Sequence, residues 1–575
     1  DVTLLKTIDS GANLYTLPTK DFLPVLRILG SSLGGTPEGV NAIVASYDNV
    51  DYFVVGEVDG PNLLVDRDGH AKDGFPADNN EVWDLNRRTG QAVYGRHKVP
   101  FWCAIPKKDR GAGAPFPVGF YAHGYSSSRF ELLGFAGNVA RYGIAACTVE
   151  AFGHGLAIPR ALQPVVATLF TQYGITPMRD LLSPGRARDL NNDGEVDSGG
   201  DFWSADVFHT RDAVRQTILD TMVVIRAFRA FDGTRRLAQD LLDRGTPDLA
   251  GDFNGDGIVD LGGRDVDYFT WGSSLGGILS AILAGIEPAI TAAAPVSGGA
   301  GLADIGIRSS LGGVYDAVIL PIMGPIFVGQ KGDLPGEVVV STIVPSANKR
   351  TKNEVFRTQK IAKGDIVKIE NAAAGKSYVA IAGDDGAFRV HIAADALDAI
   401  EKRVNLGFSP AASGEPLFRA PDTTALGDRL VLRVIDASTG LEKATFDKFG
   451  VDVDHDGVTY AAGQPLVALA RGMGLQRNTP DFRRFMNIAQ MVLEPADPIN
   501  YAPRYFKTPI PSLDYDTAEP GSNVAVIVTA GDTIVPAATG IAIARAAGII
   551  SLDTIDPRYG KTPNQVLLDT FTAEG

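Results

Sequence analysis

The sequence predicts an α/β chain: a mainly parallel sheet covered by helices on both faces, with a small β-rich domain and a lid-like segment as insertions. Three observations predict it. Apolar, strand-like runs alternate with segments of helical period from about residue 52 to 299. That alternation breaks near Gly299 and resumes at Asn523-Val-Ala-Val-Ile-Val-Thr529. The interval holds a run of strand signals with turn residues between them.

Taken in order, residues 1–45 are rich in Gly and Pro without clear periodicity and read as the tail of an N-terminal extension. Strand patterning starts near Tyr52 and continues through Ala92-Val-Tyr94 and Val99-Pro-Phe-Trp-Cys-Ala-Ile105. Pro117-Val-Gly-Phe-Tyr-Ala-His123 is the next strand, followed by a helix over 130–142 that ends at Gly143. Ile144-Ala-Ala-Cys-Thr-Val149 is a strand, and a helix over 210–231 places Val214, Ile218, Met222 and Ile225 on one face. Another strand covers 289–295 and another helix 536–547. Strand signals at 338–344, 366–369, 378–381, 388–392 and 430–435 define an inserted domain over about 330–450. The larger domain then comprises 46–329, with insertions at 155–208 and 245–265, and 451–575. Val566-Leu-Leu-Asp-Thr-Phe-Thr-Ala-Glu-Gly575 reads as the last strand running into its loop.

Bulk properties narrow the function classes. The chain has 575 residues, 45% hydrophobic, enough for a sizeable core and two or three domains. A net charge of -15 excludes nucleic acid as a partner, because its phosphates would be repelled. It gives no support for docking on anionic membranes. The chain opens Asp-Val-Thr, without Met or a charged-then-apolar segment, and reads as processed or trimmed. The most apolar run, over 317–328, is shorter than a membrane span and carries Pro321 and Pro325, so it is read as buried or lid-forming. The two cysteines, Cys103 and Cys147, each lie in a strand-like segment and read as reduced core thiols, with a disulfide as the alternative if their strands are neighbours.

Chemistry concentrates at Asp267-Tyr-Phe-Thr-Trp-Gly-Ser-Ser-Leu-Gly-Gly-Ile-Leu-Ser280, a short apolar strand, a Gly-x-Ser-x-Gly turn, then a helix. In that context Ser274 sits on the sharp bend where a hydrolase holds its nucleophile, rather than in a structural glycine turn. Gly30-Ser-Ser-Leu-Gly34 matches the same pattern, but Thr36-Pro37 follows and would spoil a helix. Upstream, Phe120-Tyr-Ala-His-Gly-Tyr-Ser-Ser-Ser-Arg129 joins a strand to a helix. Such a loop supplies one oxyanion N–H and the residue after the nucleophile the other, which nominates Tyr125 and Leu275 by main chain. His123 is then a loop-shaping residue. Val528-Thr-Ala-Gly-Asp-Thr-Ile-Val-Pro536 puts Asp532 just past a buried strand, as the acid of a triad or as an ordinary helix cap.

These three elements, in this order, resemble the α/β-hydrolase superfamily. Within it the chain is most similar to large secreted bacterial lipases and esterases, which Arg211-Asp-x-x-Arg-Gln216 and Glu494-Pro-Ala-Asp-Pro-Ile-Asn500 also resemble. The resemblance covers about 90–300 and 480–575. It implies a Ser-Asp-His triad, a small-molecule or lipid ester as substrate, a secreted or cell-envelope location, and neighbouring strands for Cys103 and Cys147. Its histidine would follow the acid, yet His70, His97, His123, His154, His209, His391 and His455 all precede Asp532. The expectation is a base beyond residue 575. The alternatives are His455 or His209 acting from an insertion, or a non-catalytic relative. His154, in Ala151-Phe-Gly-His-Gly155, resembles a structural motif of the same superfamily.

Three acidic segments carry oxygen side chains at loop positions 1, 3 and 5 with Gly at 6, a spacing that wraps Ca²⁺. They nominate Asp189, Asn191, Asp193 and Asp197; Asp252, Asn254, Asp256 and Asp260; and Asp452, Asp454 and Asp456 as structural calcium ligands. None has the bidentate Glu at position 12, and a metal-free acidic turn is the plain alternative. No organic cofactor is expected. The apolar stretch over 156–170 serves either as a lid or acyl-binding wall or as plain core. The expected activity is carboxylic ester hydrolysis of lipase type. Its rivals are a peptidase or amidase on the same scaffold, and an inactive, calcium-stabilised binding protein.

Overall fold

The computed structural model describes residues 14–32, 36–66, 80–108, 113–176, 178–179, 185–236, 249–394, 427–510 and 521–570. His70, residues 245–248 and the last five residues lie outside them. Eight strands form the central sheet, in spatial order Leu14–Pro18, Val50–Asn62, Gly95–Pro106, Ala145–Val149, Val118–Ala122, Tyr268–Ser273, Ile290–Val296 and Asn523–Val524. The first four pair antiparallel and the last five run parallel to one another. Central strands such as Ala145–Val149 are buried along their whole length, as expected where helices cover both faces.

Helix Val207–Arg229 packs on one face, with Val214, Val224 and Ile225 fully buried. Its Asp206 cap accepts from the N–H groups of Phe208 and His209. The Arg211-to-Gln216 motif proves to be a clamp on incoming chain. Asp212 accepts from Trp83 N (2.9 Å) and from Arg211 and Arg215, while Gln216 Oε1 accepts from Leu63 N (2.9 Å).

Several sequence expectations are corrected here. The N-terminal segment is no loose tail, because Leu14–Pro18 forms the edge strand and Phe22 and Val25 are fully buried beside Phe53. Pro37 opens a helix instead of spoiling one, since it stands at the first helical position behind a Thr36 cap, where its missing N–H is not needed. The Gly30 repeat is still no elbow, because a helix rather than a strand, Thr19–Ser32, leads into it. Ala92-Val-Tyr94 does not join the central sheet; only Gln91–Ala92 pairs, with Leu85–Asn86. The chain over 566–570 is helical, Pro563–Asp569 behind a Thr562 cap, and not a strand.

Cys103 stands directly opposite Cys147 across antiparallel strands, and the two form a disulfide rather than free thiols. No single helix among the described residues is long and apolar enough to cross a membrane.

The inserted region is two four-stranded antiparallel sheets. One has the order Lys349–Thr358, Val338–Ser346, Ile326–Lys331, Phe388–His391, and the other Lys376–Ile381, Ile366–Asn371, Leu430–Ile435, Glu442–Phe446. Alternate residues such as Val340, Val367, Ile369, Leu432 and Val434 are fully buried between them. Phe356 and Phe446 stack across the gap at 4.4 Å. Val453, Tyr460 and Leu466 share that core, so the insertion extends past residue 450.

Candidate active site

Strand Tyr268–Ser273 ends in Ser274 at φ 58° and ψ -118°, and helix Leu275–Ile286 begins at the next residue. A non-glycine residue adopts that conformation only when its surroundings impose it. Here Ser274 N–H donates to Val296 O at 3.0 Å, tying the bend to the neighbouring strand. The flanking glycines make the bend fit. A Cβ on Gly272 would come within 2.5 Å of Ala122 O, and one on Gly277 within 2.5 Å of Val296 O. At Gly276 a Cβ would collide with the Ala122 carbonyl.

The neighbouring strand Val118–Ala122 runs out into the His123–Ser128 loop. Beneath this loop lies a fully buried charge group. Glu150 Oε2 is 3.4 Å from Arg129 Nη1, and its Oε1 is 3.2 Å from His123 Nε2. Burial would push the Glu150 carboxyl up, but the His123 hydrogen bond and the Arg129 charge outweigh it and hold it below the usual carboxylate range. His123 Nδ1 is 2.9 Å from Gly124 O and Nε2 is 3.1 Å from Ala151 N, so its ring shapes the loop. Gly124 N–H is taken by Glu131 Oε2 at 2.7 Å, whereas Tyr125 N–H has no acceptor among the described residues. Tyr125, Ser274 and Leu275 line one cavity.

That cavity is a cleft of about 690 Å³, a volume that includes space open to solvent. Its walls come from Trp203, Val207, Leu302, Ile305, Leu311, Val314, Val318, Ile322, Phe485, Met486, Leu493, Ile534 and Val535, with Ser204, Thr210 and Ser309 among the few polar contributors. The apolar run over 317–328 thus supplies wall residues, as a buried or lid-forming segment should. The stretch over 156–170 supplies none. Its helix Gln163–Gln172 buries only Phe170, in one cluster with Ile175 and Met178, and leaves Leu162 and Val165 exposed, so the stretch is neither a wall of this cavity nor plain core. Helix Pro480–Leu493 was missed by the sequence reading, although Phe482, Met486, Ala489 and Leu493 stand at helical spacing. Just beyond it, fully buried Asp497 accepts from Gly301 N (2.8 Å) and Leu302 N (2.9 Å), which pins the start of the opposite wall.

Asp532 lies at the rim, two residues before the wall residue Ile534. Its Oδ1 accepts from Ile534 N (2.8 Å) and Val535 N (3.0 Å) in a turn ahead of helix Ala537–Ala547, whose cap position is Pro536 and carries no side-chain bond, so Asp532 is not an ordinary helix cap. None of the six described histidines lines the cavity. His97 pairs with Asp220 at 2.9 Å, and His209 is buried between Glu81 and Asp201. His154 is fully buried, and burial with the nearby His123 pushes its pKa down to about 3. His391 and His455 belong to the inserted region.

The calcium-like segments fold differently from one another. In 189–197, Asp189 accepts from Asp193 N (3.3 Å) and Gly194 N (2.8 Å), and Asp197 from Leu190 N (3.0 Å), so the chain wraps. In 252–260, Asp252 accepts similarly from Gly255 N and Gly257 N, but Lys108 Nζ contacts Asp256 and lies 3.8 Å from Asp260. An ammonium group therefore already offsets part of the charge of that loop. The third segment is corrected outright: Asp456 and Gly457 are the two positive-φ residues of a hairpin turn between Val453–His455 and Val458–Tyr460. Asp452, Asp454 and Asp456 therefore lie along a strand and turn instead of encircling a point. Among the described residues, no three His, Cys, Asp or Glu side chains are grouped to hold a metal ion.

Strand order, strand directions and the strained serine bend are together those of the α/β-hydrolase fold. No family model and no curated protein matches the chain. Solved structures similar to it include a PEG-bound, cold-adapted esterase from an Arctic intertidal metagenomic library, at 12% identity and TM-score 0.18 over 42% of this chain. Others are the ferulic-acid-bound Est1E of Butyrivibrio proteoclasticus, at 13% and 0.21 over 38%, and an acetyl xylan esterase of a Paenibacillus species, at 19% and 0.21 over 38%. The matches take in 59%, 55% and 52% of those three chains, respectively.

Proposed function

We propose that this chain is a serine hydrolase of carboxylic esters that carry an apolar acyl group. The observation that carries this reading is that Ser274, on its strained bend, opens into a cavity of about 690 Å³ walled almost wholly by aliphatic and aromatic side chains. An ester carbonyl at Ser274 would point its oxygen at the N–H groups of Tyr125 and Leu275 while its acyl chain fills the cavity. Ser274 Oγ attacks the carbonyl carbon and a base takes the hydroxyl proton. That proton passes to the leaving alcohol, and water then cleaves the acyl-enzyme. Asp532 is the acid that would orient a histidine base. The substrate is a lipid or small-molecule ester, and the disulfide supports a secreted or envelope setting.

Hydrolysis of p-nitrophenyl acetate, butyrate and octanoate by wild type and Ser274→Ala tests the reading. Octanoate should be preferred over acetate, with activity abolished in the variant. A chain extended past Gly575 that leaves all three esters intact would overturn the reading in favour of a binding protein.

Calcium remains a proposal for 189–197 alone, held by Asp189, Asn191 and Asp193 with a structural role. Wrapping of the chain supports it, and among the described residues no lysine pairs with these three side chains, Lys349 lying instead 3.8 Å from Asp197. EDTA should lower the melting temperature and Ca²⁺ restore it, and no shift sinks the idea.

A further inference from the structure

A hairpin of the inserted domain reaches the segment that braces the 123–128 loop. Strands Val338–Ser346 and Lys349–Thr358 pair with Ser346 opposite Lys349, so Ala347 and Asn348 form the tip of a hairpin. Hairpin tips are ordinarily solvent-exposed, yet Asn348 is only 9% exposed. Its Nδ2 donates to Ser198 O at 2.9 Å. Ser198 in turn donates from Oγ to Ser127 O at 2.8 Å and accepts from Gly155 N at 3.2 Å. Ser127 N–H closes the turn onto Gly124 O at 3.2 Å, and Tyr125 lies inside that turn. The Tyr125 ring is seated on Gly199, where a Cβ would come within 2.7 Å of it. A continuous hydrogen-bonded path therefore runs from the inserted domain through Ser198 to the loop that presents Tyr125 N–H.

The same hairpin is anchored at both ends of its tip. Ser346 Oγ donates to Asp456 Oδ1 at 2.6 Å, and Lys349 Nζ lies 3.8 Å from Asp197 Oδ1. The first bond braces the tip on its own domain's 455–458 turn, and the second sets it beside 197–198, so it is not a loose flap.

We propose that Asn348 is a positioning residue for the oxyanion loop, through which the inserted domain sets the acylation rate at Ser274. This rests on the ester-hydrolase reading above. An oxyanion donor works only when it is aimed within a few tenths of an ångström of the developing charge. Freeing Ser198 lets the Gly124–Ser127 turn drift without removing the donor. The loss should therefore fall short of the roughly 10²–10³-fold cost of deleting one donor.

The test compares Asn348→Ala, Asn348→Gln and Ser198→Ala with wild type in a C-terminally extended chain. One readout is kcat and KM on p-nitrophenyl butyrate, the other amide hydrogen exchange of residues 123–128. Asn348→Ala and Ser198→Ala should each lower kcat roughly tenfold at unchanged KM, with faster exchange in the loop. The double variant should be no worse than either single one, because both cut one path. Asn348→Gln, which keeps the donor, should recover part of kcat. Unchanged loop exchange, a rise in KM alone, or additive losses would each overturn the proposal. A wild-type chain that cleaves no ester, while Asn348→Ala still loosens the loop, would instead defeat the ester-hydrolase reading and the rate effect that rests on it, leaving the mechanical link.

Discussion

Gly276 lies directly beneath the carbonyl of Ala122, so closely that no side chain fits between the first turn of the serine helix and the strand that launches the oxyanion loop. Ser274 and the His123–Ser128 loop are thereby brought together by backbone contact. Gly276→Ala must push the two apart, at a cost of about 1–3 kcal/mol of overpacking. We expect a lower urea midpoint and a much reduced rate of fluorophosphonate labelling at Ser274. Wild-type labelling in the variant would mean that the contact gives way without consequence.

Ser274 stores strain at φ 58°. Replacing it by glycine removes the Cβ that makes this conformation costly, whereas alanine keeps it. Ser274→Gly should therefore be more stable than Ser274→Ala by about 1 kcal/mol in denaturant melts, although both are inactive. Equal stability would argue that the bend is relaxed.

The Cys103–Cys147 bridge closes a sequence separation of 44 residues at the centre of the sheet. On the chain-entropy account such a closure is worth about 4 kcal/mol. Unfolding in urea with and without a thiol reductant should show a loss of that order, and the Cys103→Ala, Cys147→Ala double variant should match the reduced protein.

Alkaline pH should weaken the fold through His209. Its burial opposes protonation, but the hydrogen bond and charge of Asp201, then Glu81 and Asp206, prevail and raise its pKa to about 10. An unfolded histidine releases its proton near ~6.5. Between these values the folded state binds the extra proton, so stability is fully present below pH ~6.5 and is lost as pH rises toward 10. The slope is at most about 1.4 kcal/mol per pH unit. Urea melts from pH 6 to 10 measure it, and His209→Gln should flatten the curve.

Much of the chemistry was legible before any coordinates. The strand at 268–273, the bend at Ser274 and the helix after it are local events, dictated by an apolar run, two flanking glycines and an uninterrupted helix-forming stretch. The strands inserted at 338–346, 366–371, 376–381, 388–391 and 430–435 were readable for the same reason, since alternation is a nearest-neighbour signal. The N-terminal segment was misread because its periodicity is short and its meaning comes from pairing with Val50–Asn62. The acidic segment at 452–459 was misread because a Ca²⁺-like spacing and an Asp-Gly hairpin turn share the same residues, and only strand pairing separates them.

Sequence alone thus determined the strand, bend and helix around Ser274 and the class of fold, because each depends on residues adjacent in the chain. Tertiary structure decided the rest. The cavity walls come from residues near 203, 302–322, 485–493 and 534, and no pattern within any one of these segments reveals that they converge. It likewise decided that Cys103 meets Cys147, and that Asn348 reaches Ser198 across 150 residues of chain. Contacts of that sequence separation are set by how sheets and helices pack, a property of the whole chain that local residue patterns do not encode.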